Sequence, residues 1–251
     1  MTEVITIANR SGGVGKTTTA HTLGAGLTQR GYKVLLIDLD SQCNLTFFTR
    51  ANINALNSWD VLTGSATAPE AIQHTASGDV IPASPDLDRA NGEINGRGME
   101  YRLKDAIEPV RANYDFIVID TPPALGVLLI NALTACNSCV ITANAESKNL
   151  QGFRLIADAI ETTRNYTNPA LRVRGILLTA FEPRTILARD ARADFENIAG
   201  QLSTKVYSTP IRRCNAVKEA QAMQTDIFNY APHSTTAEDY RAFIDAVEQG
   251  E

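Results

Sequence analysis

Residues Gly12 to Thr18 read Gly-Gly-Val-Gly-Lys-Thr-Thr, directly after the apolar run Val4-Ile5-Thr6-Ile7-Ala8 and directly before a helix-like stretch. Strand, glycine turn and helix start coincide, which is the context a nucleotide-phosphate cradle needs. Glycines let successive backbone N–H groups turn inward on phosphates, Lys16 brings a point charge to the β and γ oxygens, and the Thr17 hydroxyl can ligate Mg2+. A merely flexible turn would not require a lysine and paired threonines at such a junction. The predicted nucleotide contacts are Ser11, Gly12, Gly13, Val14, Gly15, Lys16, Thr17 and Thr18. The ordinary pattern also has a glycine five residues before Gly15; Arg10 stands there, so a shorter, deviant loop applies.

The rest of the chain supplies one sheet around that loop. Val34-Leu35-Leu36-Ile37, Phe116-Ile117-Val118-Ile119, Cys139-Val140-Ile141-Thr142 and Gly175-Ile176-Leu177-Leu178 are apolar runs, with helical stretches at 17–30 and 99–112 among them. Continuous rather than alternating apolar strands are buried on both faces, which predicts a mostly parallel, doubly wound sheet with helices on both sides and ligands at the strands' carboxyl ends. With 251 residues, 44% of them hydrophobic, the chain can bury one large core, so 1–251 reads as a single α/β domain. The stretch 41–98 is polar and least defined, with helices expected near 59–63 and 68–75 and a short strand at Val80-Ile81. No run approaches the roughly 18 apolar residues of a membrane span, and no signal-like segment precedes the first strand, so a cytoplasmic location is expected. Cys43, Cys136, Cys139 and Cys214 lack zinc spacing, and His21, His74 and His233 are scattered, so all read as core or surface residues.

Two strand ends carry acids. Asp38-Leu39-Asp40-Ser41-Gln42 closes the second strand, and alternation predicts that Asp38 and Asp40 share one face at the mouth of the site. One would serve the magnesium shell through water and the other would orient the water that attacks a γ-phosphate. Ile117-Val118-Ile119-Asp120-Thr121-Pro122-Pro123 is an apolar strand ending in an acid suited to the shell of Mg2+ on Thr17, with two prolines fixing the loop. Thr17, Asp38, Asp40 and Asp120 are therefore the expected metal site. Net charge is −5, yet residues 172–218 hold nine basic residues against four acids. A local excess of this kind suits one DNA-facing surface, and it suits a solvated helix face around 184–200 equally well.

The loop Ala8-Asn9-Arg10-Ser11-Gly12-Gly13-Val14-Gly15-Lys16-Thr17-Thr18 and the turn Asp120-Thr121-Pro122-Pro123 resemble the deviant Walker box and Asp-Thr-Pro-Pro turn of ParA and MinD type ATPases. Segments similar to that family recur along most of the chain, among them Val80-Ile81-Pro82-Ala83-Ser84 and Ala237-Glu238-Asp239-Tyr240. The resemblance implies ATP and Mg2+ as cofactors, a homodimer formed on ATP, nonspecific nucleoid DNA as matrix, and an adaptor of ParB or McdB type on a plasmid, chromosome origin or carboxysome. It makes Asp40 and Lys16 catalytic, Asp40 being the match to the residue tied to hydrolysis. Where the family usually has a second lysine reaching across the dimer, Ser11 stands, which resembles the carboxysome-positioning McdA branch; Lys148, in the loop after the Cys139–Thr142 strand, is the candidate replacement, with an ordinary surface lysine the competing reading. DNA contacts are expected at Arg189, Arg192, Arg212, Arg213 and Lys218, although Ala216 and Thr235 occupy positions where many relatives carry arginine. The tail 239–248 is acidic on its polar side, unlike the basic membrane helix of MinD-like relatives, so it reads as a helix docked on the sheet and no membrane partner is expected. Two other classes remain: a nucleotide-dependent scaffold with little turnover, and an ATP-dependent amidating synthetase of related fold.

Overall fold

Apolar residues at every position of a short run have to be covered from two sides, and the chain does this with seven strands: β1 (Glu3–Ala8), β2 (Val34–Asp38), β3 (Gln73–Thr75), β4 (Gly78–Ile81), β5 (Phe116–Asp120), β6 (Ser138–Asn144) and β7 (Arg172–Thr179). The computed structural model describes residues 2–144 and 150–250. The strands form one sheet in the order β3-β4-β2-β5-β1-β6-β7. Every neighbouring pair is parallel except β3 with β4.

The period of two divides each central strand between two cores. Ile5, Ile7, Leu36, Val118, Val140 and Leu177 pack under Leu23 and Leu27 of the helix Lys16–Gln29 and under Tyr240, Phe243 and Ile244 of the helix Thr235–Glu248. Val4, Leu35, Ile37, Ile117, Ile119 and Ile141 face Ile107, Leu129, Leu133 and Ile156 on the other side. The doubly wound sheet expected from the apolar runs is thus the sheet observed. The C-terminal helix starts at a Ser234 cap, docks on the Lys16–Gln29 helix and brings Tyr240 Oη to 3.2 Å from Thr19 Oγ1. Among the described residues no helix is long and apolar enough to cross a membrane.

One expected element is wrong. The helix placed at 68–75 ends at Ala71, after one turn held by the Thr67–Glu70 capping box, and residues 73–75 form β3, antiparallel to β4. The cause is Gly78, whose φ of 112° makes a tight reversal and where a Cβ would press to 3.0 Å from the Val34 carbonyl oxygen. Thr75 Oγ1 donates to the Gly78 carbonyl at 2.6 Å across the turn, and Gln73 exchanges two hydrogen bonds with the Asn52 backbone at 2.7 and 3.0 Å. These partners lie outside the local window that helix periodicity samples.

His21, on the buried side of the Lys16–Gln29 helix, bonds Ser77 Oγ at 3.1 Å. Burial pushes its pKa down to about 4, with Asp226 opposing. An unfolded imidazole near 6.5 takes up its proton first, so this group's contribution to stability is complete above pH 6.5 and is lost as pH falls toward 4. Relative to the wild type, His21→Gln should gain about 3 kcal/mol between pH 6.5 and pH 4, from roughly 2.5 pH units at about 1.36 kcal/mol each. Urea unfolding of both proteins at the two pH values checks this; a constant difference between them refutes it.

Candidate functional site

β1 delivers the chain to the loop through buried Asn9. Its Nδ2 donates to the Thr142 carbonyl on β6, and its Oδ1 accepts the Ser11 N–H at 2.9 Å, so one side chain closes the first turn and anchors it to the sheet. Gly13 and Gly15 are left-handed, with φ of 71° and 78°. A Cβ on Gly15 would also come within 3.2 Å of Thr179 Cγ2, while Thr179 Oγ1 donates to the Val14 carbonyl at 3.0 Å. Only glycine combines that handedness with so close an approach by β7. The Lys16–Gln29 helix starts without a side-chain cap, which leaves its first N–H groups and the positive end of its dipole for an anion. Lys16 is 6% exposed and its Nζ donates to the Ser11 carbonyl at 2.9 Å. Burial lowers its pKa, and the charges of Asp120 and then Asp40 oppose that shift.

The three aspartates differ in what they can do. Asp38 is fully buried: its Oδ1 accepts the Asp40 N–H at 3.0 Å, and its Oδ2 accepts both the N–H and the hydroxyl of Thr46 at 2.8 Å. Burial nevertheless pushes its pKa up to about 6. Asp38 is therefore not at the mouth of the site as alternation predicted; β2 ends there and its carboxylate turns back to hold the helix Asn44–Phe48. Asp40 lies beyond the strand end, 7% exposed, with Oδ1 accepting the Gln42 N–H at 3.0 Å. Asp120 is fully buried, and neither carboxylate oxygen has a hydrogen-bond partner among the described residues. Burial raises its pKa well above the carboxylate range and Asp38 adds to this, against the Thr17 hydroxyl and Lys16.

An orphaned buried carboxylate beside a hydroxyl and a lysine fits a divalent cation that arrives with a phosphate. No group of three or more His, Cys, Asp or Glu is placed to hold a metal among the described residues, so the three aspartates form no protein-only cage. That suits Mg2+, which keeps several waters and binds through one or two carboxylates plus substrate phosphates.

A family model described as an AAA domain matches residues 2–173. The sporulation initiation inhibitor protein Soj of Bacillus subtilis is 38% identical over 246 residues, covering 96% of each chain. The chain belongs to the ParA/MinD-type P-loop ATPase family. The chromosome partitioning protein ParA of Caulobacter vibrioides is 37% identical over 238 residues, covering 90% of this chain and 86% of its own. Among solved structures, cobyrinic acid a,c-diamide synthase from Mycobacterium smegmatis with bound ATP analog and magnesium superposes with a TM-score of 0.86 at 33% identity, over 99% of this chain and 95% of that one. Cyanothece McdA in its ATP complex has a TM-score of 0.86 at 23% identity, over 98% and 96% of the two chains, and shares the fold.

In this ParA-type chain the basic residues of 172–218 do not form one face, as their nearness in sequence had allowed. Arg172 and Arg174 start β7, 3.6 and 3.4 Å from Glu3, at the end of the sheet remote from the phosphate loop. Arg212 grips Asp239 with Nη2 at 2.7 Å and Nε at 2.9 Å, which ties it to the C-terminal helix. Arg213 meets Glu182 at 3.0 Å, and Arg192 meets Glu196 at 2.9 Å. Arg189 and Lys218 are exposed and have no ion pair among the described residues. Lys148 lies outside the described residues. Asn9, Thr46 and Thr179 shape the site without having been singled out in the sequence; only their nearness to the loop or to a strand's carboxyl end signals them.

Proposed function

We propose that the chain is an ATPase that binds ATP with Mg2+, closes into a homodimer, holds nonspecific nucleoid DNA while closed, and is discharged by a ParB- or McdB-type adaptor on a cytoplasmic cargo. The cargo is a plasmid, chromosome origin or carboxysome, and the names of the Soj and ParA relatives favour the first two. The observation that carries the reading is Asp120, a carboxylate buried beside the lysine and hydroxyl of the phosphate loop with neither oxygen hydrogen-bonded among the described residues. Thr17 and Asp120 are the residues to hold Mg2+, with Asp38 and Asp40 behind them. The ion supplies charge that offsets the developing negative charge on the phosphates. Lys16 exchanges the Ser11 carbonyl for phosphate oxygens, and Asp40 orients the attacking water.

An amidating synthetase, the activity named for the M. smegmatis structure, is the second reading. An enzyme that frees ammonia from an amide donor through a cysteine needs a thiolate. Burial raises the thiol pKa of Cys43 and Cys136 to about 12 and that of Cys139 well above the usual value, which disfavours these three for this route and leaves the half-buried Cys214. Phosphate release from Mg·ATP tests the choice. Turnover raised by DNA supports the ATPase; nucleotide binding without turnover points to a scaffold; turnover that depends on glutamine points to the synthetase.

The logarithm of DNA affinity should fall linearly with the logarithm of salt concentration, and Arg189→Ala and Lys218→Ala should each reduce that slope by about 1, measured by fluorescence anisotropy. An unchanged slope in both variants removes these two residues from the interface. Lys148→Ala should leave ATP binding by the monomer intact and abolish the ATP-dependent dimer, read by size-exclusion chromatography with light scattering. An unchanged dimer disposes of Lys148 as the charge donated across the interface.

A further inference from the structure

Thr18 stands in the first turn of the helix that leaves the phosphate loop, and its hydroxyl accepts the Nε2–H of Gln221 at 2.7 Å, from 203 residues further along the chain. Gln221 belongs to the helix Asn215–Ala222, the helix that carries exposed Lys218 one turn earlier. We propose that Gln221 is a positioning residue that transmits the occupancy of the phosphate loop, through Thr18, to this basic helix. In one of its two readouts the proposal rests on the DNA-binding reading above.

The physical basis is a polarised pair of hydrogen bonds. A hydroxyl can accept one hydrogen bond while donating another. A phosphate seated in the loop accepts a hydrogen bond from the Thr18 O–H, turns the oxygen's lone pairs toward Gln221 and strengthens that bond, because linked hydrogen bonds polarise one another and those to anions are the strong ones. In the empty loop the Thr18 rotor carries no such bias.

The segment is held from the aspartate side as well. Arg50 donates through Nε to the Gln224 carbonyl and through Nη2 to the Met223 carbonyl, both at 3.0 Å, and Gln224 Nε2 donates to the Phe47 carbonyl at 3.0 Å. Phe47 belongs to the helix Asn44–Phe48, whose Thr46 holds Asp38 and which starts at Cys43, bonded through its N–H to the Asp40 carbonyl at 2.8 Å. Cys43, Arg50 and Gln224 all have left-handed backbone, with φ of 53°, 59° and 50°. Non-glycine residues adopt that conformation only where their surroundings over-determine it, and such residues gather at switching elements. The helix bearing Lys218 therefore hangs from both lips of the nucleotide site.

Gln221→Met keeps the length of the side chain and its helix propensity while removing the N–H donor. Binding linkage requires that DNA and nucleotide change each other's affinity by one common factor, typically about 5- to 150-fold. The first measurement is the affinity of a slowly hydrolysed ATP analogue with and without nonspecific duplex DNA. In Gln221→Met the wild-type factor should shrink to within about twofold of one. Lys218→Ala should instead weaken DNA binding with and without nucleotide and keep the factor. The second measurement needs no DNA: nucleotide should slow hydrogen exchange of the 217–224 amides in the wild type and not in Gln221→Met. Gln221→Lys, which retains a donor at that reach, should restore the protection. A Met variant that keeps the wild-type protection overturns the proposal, as does loss of protection in the Met and Lys variants alike, which marks a purely structural clip. Absence of any DNA binding by the wild type would sink the DNA-binding reading and leave the exchange measurement to decide this one.

Discussion

Lys16→Ala is expected to weaken ATP binding by about 100-fold or more while the protein stays folded. Truncating one partner of a buried, hydrogen-bonded charge pair costs roughly 2–5 kcal/mol, and about 2.7 kcal/mol is already 100-fold in affinity. The setting places Lys16 in that class. Its ammonium is almost wholly buried, its one hydrogen bond among the described residues is to the Ser11 carbonyl, and the two carboxylates acting on it, Asp120 and Asp40, belong to the same site. A triphosphate replaces that single neutral acceptor with anionic oxygens, so the gain on binding is large and depends on this one side chain. The fold does not share the dependence. The alanine variant removes a desolvated cation, and Asp120, already pushed toward its neutral form by burial, can take a proton in compensation. Calorimetric titration with Mg·ATP and a thermal melt separate the two effects. An affinity within about threefold of wild type, less than 1 kcal/mol, would place the phosphates elsewhere.

The candidate phosphate loop was legible because its parts are consecutive. Ser11 to Thr18 form one loop, and the apolar runs ending at Asp38 and Asp120 announce parallel strands whose carboxyl ends meet it. What escaped the sequence depends on partners far along the chain. Asp38 and Asp40 look equivalent at spacing two, but Thr46 and the Asp40 N–H draw the Asp38 carboxylate inward as the strand ends. Arg212 looks like Arg213 until Asp239, 27 residues on, captures it. β3 could not be told from a continued helix because the Gly78 turn and the Asn52 backbone decide it. Gln221 carries no local signal at all, since its partner lies 203 residues away. Periodicity reports which face is buried; pairing between distant polar groups is decided by topology, which a single sequence states only indirectly.

Asp40→Ala should leave ATP affinity unchanged and lower the rate of phosphate release by about 100- to 10,000-fold, the usual contribution of a positioned acid–base group. The separation of roles follows from geometry. Lys16 and the uncapped end of its helix lie in the proposed phosphate loop, whereas Asp40 stands beyond the end of β2 with one oxygen on the Gln42 N–H and the other taking no hydrogen bond from the described residues. That second oxygen is free to accept from a water, and Asp38 holds the Asp40 backbone in place from below. The free oxygen bears on the attacking water rather than on the phosphates, so its removal should act chiefly on turnover, the pattern expected when an interaction matters mainly at the transition state. A consequence distinguishes this from general damage to the site: the variant should hold its ATP-bound dimer, and the DNA on it, longer than the wild type does. Single-turnover phosphate release together with dimer lifetime tests both halves. Turnover within about threefold of wild type would shift the water-orienting role to another residue, and a shortened dimer lifetime would show that Asp40 supports the closed state rather than its discharge.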